Sequence, residues 1–218
     1  LSNLIADEKP SFPFLCLTVS GGHTQIVQCN SPLDMEVLGE TRDDAAGEAF
    51  DKSAKILGLP YPGGPLIDKY AQLGNPLAYT FAKPQIEGLG FSFSGVKTSI
   101  LYFLQAEKKK DEEFITKNLN DICASIQHTI INILIQKLVK ASKQTGIKDI
   151  CIAGGVSANS GLRKAIVDTA QKQKWNYFIP KFEYCTDNAA MIAITGYYKY
   201  LNNEFAGLEE TSSARSEF

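Results

Sequence analysis

Long hydrophobic runs are missing from this sequence of 218 residues. The longest, Phe12–Val19, is far shorter than the ~20 apolar residues that a membrane-spanning helix needs. The opening segment, LSNLIADEKP, also lacks the positive region and apolar core of a signal peptide. We therefore expect a cytoplasmic protein without a membrane anchor.

An excess of positive charge is absent as well. With 22 Lys and Arg against 24 Asp and Glu, the formal net charge is −2 at pH 7. This balance argues against a chain that holds nucleic acid by itself through a broad basic surface, but it allows an RNA that a partner helps to bind. Cysteine is sparse: 5 residues without any CxxC spacing predict free, mostly buried thiols in a reducing compartment.

Histidine, the commonest metal ligand, is nearly absent. Of the two histidines, His23 and His128, the second lies on or beside the apolar face of a predicted helix, so we expect it to be structural. The HExxH pattern of zinc proteases does not occur. The chain alone is therefore not expected to complete a metal site.

What the sequence does contain is an alternation of β-prone and helical segments. Strands are predicted over 12–19, 25–29, 34–38, 149–153 and 176–180. Helices are predicted over 43–57, 66–73, 96–105, 120–143, 158–172 and 187–201, with an irregular loop at 61–65. This alternation indicates an α/β class. The tight turn at Ser20–Thr24 makes the first two strands a hairpin, so the sheet is predicted to be mixed.

The hairpin turn is the first candidate for chemistry. Gly21 and Gly22 leave backbone N–H groups unobstructed, as in turns that bind phosphate oxygens. Ser20 and Thr24 add hydroxyl groups on either side. The alternative is a hairpin that needs glycine only for its turn.

A second glycine turn, Gly154–Gly155, follows the predicted strand over 149–153 and opens a helix. Glycine permits close approach of a ligand, a helix start favours anions, and the Asn159 amide suits a ribose or a base edge. The GxGxxG pattern is not met, and ordinary strand-to-helix packing is the alternative. Two glycine turns in distant parts of the chain predict a ligand held between two lobes, as in the actin/Hsp70-like ATPases.

One face of the helix predicted over 43–57 is acidic. It carries three carboxylates at i, i+4 and i+7: Asp44, Glu48 and Asp51. Uncompensated carboxylates on one face are unfavourable, so a cation or a hydroxyl-rich ligand is expected nearby. Gly47 in the same helix costs about 1 kcal/mol relative to alanine, which indicates that something approaches it closely. The alternative is a solvent-exposed face paired with Lys52 and Lys55.

Asp187 follows Thr186 at the predicted start of the last helix. A carboxylate in this place most often caps the helix. As a metal ligand it would need at least two more protein ligands. The residues alone leave both interpretations open.

Five longer strings contain these motifs: TVSGGHTQIV, GETRDDAAGEAFDKSAKILGLPYPGGP, FSFSGVKT, AGGVSANSGLR and YCTDNAAMIA. Spanning Thr18 to Ala193, they resemble the bacterial branch of the TsaD family, the tRNA N6-adenosine threonylcarbamoyltransferases, earlier labelled O-sialoglycoprotein endopeptidases or glycoproteases. The resemblance implies an actin/Hsp70-like ATPase (ribonuclease H-like) fold, with a mixed sheet flanked by helices and a truncated N-terminal lobe. It also implies transfer of a threonylcarbamoyl group from threonylcarbamoyl-adenylate to N6 of adenosine 37 in tRNAs that read codons starting with A (t6A biosynthesis).

The resemblance also assigns roles to residues. Those matching the family's substrate site are Thr18, Val19, Ser20, Gly21, Gly22, Asp51, Gly64, Asp68 and Asn159. Asp51 and Asp68 are expected to bind hydroxyl groups, and no residue is assigned as catalytic. Asp187 matches a ligand of one divalent metal ion, iron or zinc, which would serve as a Lewis acid or a template.

The sequence departs from the family pattern because the His-x-x-x-His pair of metal ligands does not occur. In the family this pair should lie just before the segment that begins this chain. We therefore expect a fragment that binds the metal weakly or not at all and is inactive alone. The expected organisation is a truncated ATPase-fold region over 1–208 and a flexible tail over 209–218. Within the first, we expect a phosphate hairpin near 12–29, a helical insert over roughly 43–145 and a nucleoside-binding part over roughly 146–208.

The partners implied by the resemblance are threonylcarbamoyl-adenylate or an ATP-like nucleotide, tRNA, a paralogous partner subunit and an accessory ATPase. Two alternative functions remain. A metalloendopeptidase would need a zinc-protease helix that this chain lacks. A non-catalytic nucleotide-binding partner subunit would not need the glycine motifs or Asp187. If the enzyme interpretation holds, the two glycine turns must face one cavity, with Gly22, Gly155 and Asp51 converging on it.

Overall fold

The computed structural model of the chain describes residues 1–84 and 86–211. The strands are β1 (Phe14–Val19), β2 (Thr24–Cys29), β3 (Met35–Glu40), β4 (Asp149–Ala153) and β5 (Asn176–Phe178). The helices are α1 (Ala46–Ile56), α2 (Gly63–Ala71), α3 (Ser94–Lys108), α4 (Phe114–Thr145), α5 (Ser160–Gln173) and α6 (Ala189–Leu201). Short 3-10 turns occupy Ser2–Leu4, Gly155–Ala158 and Phe182–Tyr184. Of the predicted tail over 209–218, residues 212–218 lie outside the described part.

The strands form one sheet in the order β3-β2-β1-β4-β5, and its antiparallel and parallel pairings confirm the predicted mixed sheet. β1 pairs antiparallel with β2 in the predicted hairpin, from Phe14 opposite Cys29 to Val19 opposite Thr24. On its other side β1 pairs parallel with β4, and β4 with β5. Parallel pairing brings the carboxyl ends of β1 and β4 to the same edge of the sheet. Each of these ends is followed by one of the two glycine turns.

Side chains of β1 alternate between two apolar cores. Leu15, Leu17 and Val19 belong to the main core, to which α1–α5 contribute, and Phe14 and Cys16 belong to a smaller one on the opposite face. Among the described residues, the smaller core is covered by Leu1, Leu4 and Phe12 of the N-terminal segment and by Ile194 and Tyr198 of α6. All five cysteines are free and buried, as predicted. Burial raises the pKa of four of these thiols, for two of them to about 12, which makes those four poor nucleophiles.

α4 is the central helix of the main core. Its buried side chains lie between Ile122 and Ser142, and it packs against α2, α3 and α5. A window of this helix with mean hydropathy 1.3 is long and apolar enough to cross a membrane, but 67% of the window is buried inside the protein. Apolar residues all around a helix are expected when the helix lies in a protein core. We therefore interpret α4 as a core helix.

Every helix start differs from its prediction by two residues or more, and two of these shifts have a clear cause in the structure. α2 begins at Gly63, inside the predicted loop at 61–65, because the Asp51 carboxylate of α1 accepts hydrogen bonds from its first turn. α4 begins at Phe114 rather than near residue 120, and the backbone of Asn118 is non-helical where two helical stretches join. Long-range contacts and a kink, neither visible in local periodicity, account for both differences.

Candidate functional site

A cavity of about 440 Å³ opens at the edge of the sheet where β1 and β4 end. Its walls come from the hairpin turn after β1, from α1 and α2, and from the 3-10 turn Gly155–Ala158 after β4. Five residues assigned by the family resemblance line it: Gly21, Asp51, Gly64, Asp68 and Asn159. The two glycine turns and Asp51 therefore face one cavity, whose size suits a small-molecule ligand.

The hairpin turn is shaped by its own serine. Ser20 Oγ accepts hydrogen bonds from the N–H groups of Gly22 at 3.3 Å and His23 at 2.9 Å. A phosphate oxygen would compete with this hydroxyl for the same two N–H groups. Thr24 Oγ1 is buried and accepts from the N–H of Ala46 at 2.8 Å. The prediction that Thr24 offers its hydroxyl to a ligand is therefore wrong, because that group fixes the start of α1.

Gly47 lets α1 pack directly on the hairpin turn. Its N–H donates to the carbonyl oxygen of Ser20 at 3.1 Å. A Cβ atom at position 47 would lie 2.6 Å from the same oxygen, so any larger residue would push the turn away. The predicted close approach to Gly47 is confirmed, and the approaching group includes the protein's own backbone.

The two glycines of the second turn have different surroundings. Gly154 has a φ of +88°, a region that favours glycine, and a Cβ there would overlap the carbonyl of Val19. Gly155 lines the cavity, and its Cβ position has no protein atom within 4 Å. The first glycine thus packs the end of β4 against β1, and the second keeps space open in the cavity.

The predicted acidic face divides into two parts, and Asp44 lies in the loop before α1 rather than in the helix. Lys52 Nζ lies 2.6 Å from Asp44 and 2.8 Å from Glu48, so these two carboxylates are compensated, as the solvent-face alternative predicts. Hydrogen bonds and charge from Asp44 and Glu48 raise the pKa of Lys52. Asp44 and Glu48 are therefore not the uncompensated carboxylates that the spacing of the acidic residues predicted.

Asp51 turns toward α2 instead of toward a lysine. Its Oδ1 accepts from the N–H groups of Gly63 at 2.8 Å and Gly64 at 3.0 Å. The expected ion pair with Lys55 does not form among the residues that the structure describes. Oδ2 of Asp51 has no protein donor in that part of the chain and is free to accept from a ligand hydroxyl.

Asp68 and Asn159 are held by partners on α5 and α4. Asp68 Oδ1 accepts from the hydroxyl of Ser160 at 2.7 Å, and Oδ2 accepts from its N–H at 3.0 Å. Asn159 caps α5: Oδ1 accepts from the N–H of Leu162 at 2.9 Å, and Nδ2 donates to Gln127 Oε1 at 2.7 Å. Each carboxylate oxygen keeps another lone pair, and the amide keeps another N–H, so ligand contacts can be added.

The remaining residues assigned by resemblance do not line the cavity: Thr18, Val19, Ser20 and Gly22. Val19 is fully buried, and its carbonyl lies against Gly154. The hydroxyl of Thr18 is 3.7 Å from Cys16 Sγ. Val19 thus packs against the second turn from behind, whereas Ser20 and Gly22 hydrogen-bond to each other within the first.

Asp187 lies in the exposed segment before α6. The prediction that Thr186 or Asp187 caps this helix is wrong, because Asn188 Oδ1 accepts from the N–H of Met191 at 3.0 Å. Thr186 lines the cavity instead. Within the described residues, no three His, Cys, Asp or Glu side chains are close enough to hold a metal ion. Asp187 by itself does not make a metal site.

His128 lies on α4 outside the cavity lining. Burial, with a contribution from Lys83, lowers its pKa, so the ring is neutral at pH 7. Nε2 is 2.8 Å from the Asn132 amide nitrogen. The structural role predicted for His128 agrees with these contacts.

The profile of the family described as "TsaD: tRNA N6-adenosine threonylcarbamoyltransferase" matches residues 1–194. The chain belongs to the TsaD family. A relative with that enzyme name from Christiangramia forsetii is 66% identical over 211 residues, which are 97% of this chain and 62% of the relative. Another, from Cytophaga hutchinsonii, is 58% identical over 99% of this chain and 63% of its own length. The chain thus spans less than two thirds of these TsaD relatives.

Solved structures of low sequence identity share the fold of this TsaD chain. Full-length HypF in the phosphate- and nucleotide-bound form superposes with a TM-score of 0.69 at 12% identity, over 94% of this chain and 36% of HypF. HypF from T. kodakarensis gives 0.54 at 18% identity, over 80% of this chain and 22% of its own. The actin/Hsp70-like ATPase fold class, with a mixed sheet flanked by helices, is confirmed.

Several residues at the TsaD cavity were missed by sequence reasoning. Phe50, Tyr61 and Val156 line it; they lie within the strings that resemble the family, but no role was assigned to them. Gln127 orients Asn159 from within the apolar face of α4, where it is 7% exposed. A glutamine among buried isoleucines needs a hydrogen-bond partner, and this signal could have pointed to it.

Proposed function

We propose that the whole protein of which this chain is part transfers a threonylcarbamoyl group from threonylcarbamoyl-adenylate to N6 of adenosine 37 in tRNA. The observation that carries the proposal is the convergence of two distant glycine turns and two carboxylates on one cavity of about 440 Å³. An adenylate requires this combination: N–H groups for a phosphate, acceptors for ribose hydroxyls, and a polar edge for the base. Membership of the TsaD family supports the reaction class.

We assign the hairpin turn, with Gly21 at the cavity, to the phosphate. The Oδ2 atom of Asp51 and the free lone pairs of Asp68 are assigned to ribose hydroxyls. Asn159 and Val156 are assigned to the base. The rigid hydrogen bonding of these side chains supports the assignment, because preorganised groups need little reordering when a ligand binds.

In the proposed reaction, N6 of adenosine attacks the carbamoyl carbon of the adenylate. A carbon–nitrogen bond forms, the bond from that carbon to the phosphate oxygen breaks, N6 loses one proton, and AMP leaves. Negative charge moves onto the departing phosphate. Backbone N–H groups of the hairpin turn would stabilise this charge once the Ser20 hydroxyl yields them.

Asp187 is proposed as one ligand of an iron or zinc ion in the whole protein. Its carboxylate is exposed and does not cap α6, which supports a role outside the fold itself. The described residues supply too few neighbouring ligands, so no reaction step is assigned to the metal. The tRNA, a paralogous subunit and an accessory ATPase are proposed partners in the cytoplasm, and we expect this chain alone to be inactive.

The test uses the full-length protein with its partner proteins, unmodified tRNA and threonylcarbamoyl-adenylate. Digested tRNA is analysed for threonylcarbamoyladenosine by mass spectrometry. We expect product with the wild type, a loss of at least about tenfold with Asp187→Asn, and wild-type rates with Glu183→Gln, an exposed carboxylate four residues away. Absence of product with the wild-type assembly would contradict the proposal.

A further inference from the structure

Arg163, in the first turn of α5, joins two separate segments of the chain. Its Nε donates to the carbonyl of Ser157 at 2.8 Å. Its Nη2 donates to the carbonyl of Pro180 at 2.8 Å and lies 3.3 Å from Cys185 Sγ. The guanidinium also stacks over the ring of Phe182, 4.0 Å from its centroid. One side chain thus contacts the 3-10 turn Gly155–Ala158 and the segment 180–185.

Both of these segments lead into the cavity. Gly155 and Val156 of the 3-10 turn line one wall. Thr186, which lines the same cavity, directly follows Cys185, and Asp187 comes next. Arg163 is not among the lining residues, so any influence on a ligand must pass through these neighbours.

The segment 180–185 has little else to hold it. No residue of its 3-10 turn or of the following α6 is buried, and the inward anchors of the segment are Pro180 and Cys185, the latter 2% exposed. In the described part of the chain, Arg163 makes all the hydrogen bonds that join this segment to α5 or to the turn Gly155–Ala158. Arg163 therefore supplies the polar contacts that fix Thr186 relative to Gly155.

We propose that Arg163 is a positioning residue that sets the width of the cavity between the turn Gly155–Ala158 and Thr186–Asp187. The inference rests on the proposed function, since it concerns the adenylate that this cavity would hold. A guanidinium is suited to the task because its planar fork donates in several fixed directions while its face stacks on an aromatic ring. Lysine carries the same charge but can reproduce neither the fork nor the stacking.

The test compares Arg163→Lys with Lys164→Gln in the full-length protein. Lys164 is the exposed neighbour, pairs with Asp168 at 3.3 Å and lies outside the cavity lining, so it is the matched control. Isothermal titration with ATP and steady-state kinetics with the adenylate and tRNA are measured well below each variant's Tm. We expect Arg163→Lys to raise the Kd for ATP and the KM for the adenylate by about tenfold to a hundredfold, the scale of a ~1 Å misplacement. The KM for tRNA in Arg163→Lys should match that of the wild type. All three constants of Lys164→Gln should also match the wild type.

The measurements distinguish a positioning role of Arg163 from a merely structural one. A merely structural role would lower the active fraction, and hence kcat, with Kd and both KM values unchanged, and that result would overturn the inference. If Arg163→Lys does not fold, Phe182→Ala tests the inference instead. Phe182 is 67% exposed, and its substitution removes only the ring beneath the guanidinium, so the Kd for ATP should rise several-fold. An unchanged Kd in Phe182→Ala would then overturn the inference. Failure of the proposed function is distinct, since it requires that the wild type makes no modified tRNA.

Discussion

Gly154 and Gly155 are adjacent, and alanine at each should have opposite consequences. At Gly154, φ +88° and ψ 166° lie in a region essentially restricted to glycine, which costs another residue about 1–3 kcal/mol; the Cβ also overlaps the Val19 carbonyl, so Gly154→Ala should lower Tm clearly. Gly155→Ala should leave stability within about 0.5 kcal/mol, because its methyl group meets no protein atom, yet weaken ATP binding by occupying the cavity. Thermal unfolding and titration calorimetry on both variants test this, and normal ATP affinity in Gly155→Ala would contradict the proposed site.

Ser157 has a buried hydroxyl, at 0% exposure, that finds no hydrogen-bond partner among residues 1–84 and 86–211. Ser157→Ala should therefore be neutral or stabilising, since the variant no longer buries an unsatisfied polar group. Ser142 is the matched control, because its hydroxyl donates to the Ile147 carbonyl at 2.6 Å and accepts from Trp175 Nε1 at 2.9 Å. Ser142→Ala should cost about 1–3 kcal/mol in urea unfolding. Equal losses in both serine variants would show that Ser157 has a partner.

At the residue scale, the packing roles of glycines were easier to predict from the sequence than the hydrogen-bond partners of polar side chains. The close approach at Gly47 followed from its cost within a helix, although the approaching group is the backbone of Ser20. The partners of Asp68 and Asn159 could not be read from the sequence, because Ser160 and Gln127 reach them only through the packing of α2, α4 and α5. Hydrogen-bond partners depend on tertiary structure, whereas backbone freedom is a local property.

At the scale of elements, Asp43 fixes the start of α3 to the loop before α1. Burial pushes the pKa of Asp43 up, but hydrogen bonds from the Ser92 and Ser94 hydroxyls and the Phe93 N–H outweigh it, so the pKa lies below its ordinary 3.8. The ionised group therefore stabilises the fold fully above pH 3.8, and this contribution is lost as the pH falls through the lower, folded-state pKa. Asp43→Asn should be less stable than the wild type at pH 7, and the gap should shrink below pH 3.8.

Urea unfolding over a pH series measures this gap. The double variant Ser92→Ala, Ser94→Ala keeps the carboxylate but removes two of its donors, so it should show a reduced pH dependence. A gap that stays constant from pH 7 to the acid range would show that the Asp43 charge does not contribute.

Element ends were predictable where the signal is local. β4 was predicted to the residue, since a short apolar run ends at Gly154. The start of α2 was not, because Asp51 lies 12 residues before the Gly63 N–H that it accepts from. The cap of α6 was misassigned between neighbours, because Thr186, Asp187 and Asn188 are all good caps by type.

At the scale of the whole molecule, the sequence predicted the mixed sheet and the meeting of two glycine turns. The strand order itself, with β4 parallel to β1, was not predicted; in the structure it places the two turns at one edge of the sheet. How the two faces of the sheet are covered could not be predicted. α1–α5 contribute to one face, whereas α6, though rich in apolar residues, contributes only the half-buried Ile194 and Tyr198 to the other.

This asymmetry predicts an uneven distribution of stability. α4 has buried side chains from Ile122 to Ser142, so its amides should exchange hydrogen only through global unfolding. α6 has no buried residue, and Ile192 and Tyr200 are 75% and 65% exposed, so it should exchange through local opening at a much smaller free energy. α5, of similar length and with Leu162 and Ile166 fully buried, is the control and should lie closer to α4. Hydrogen exchange followed by mass spectrometry on the 218-residue chain distinguishes the three helices. Protection of α6 equal to that of α4 would mean that its apolar side chains are covered in solution, for instance by a second copy of the chain.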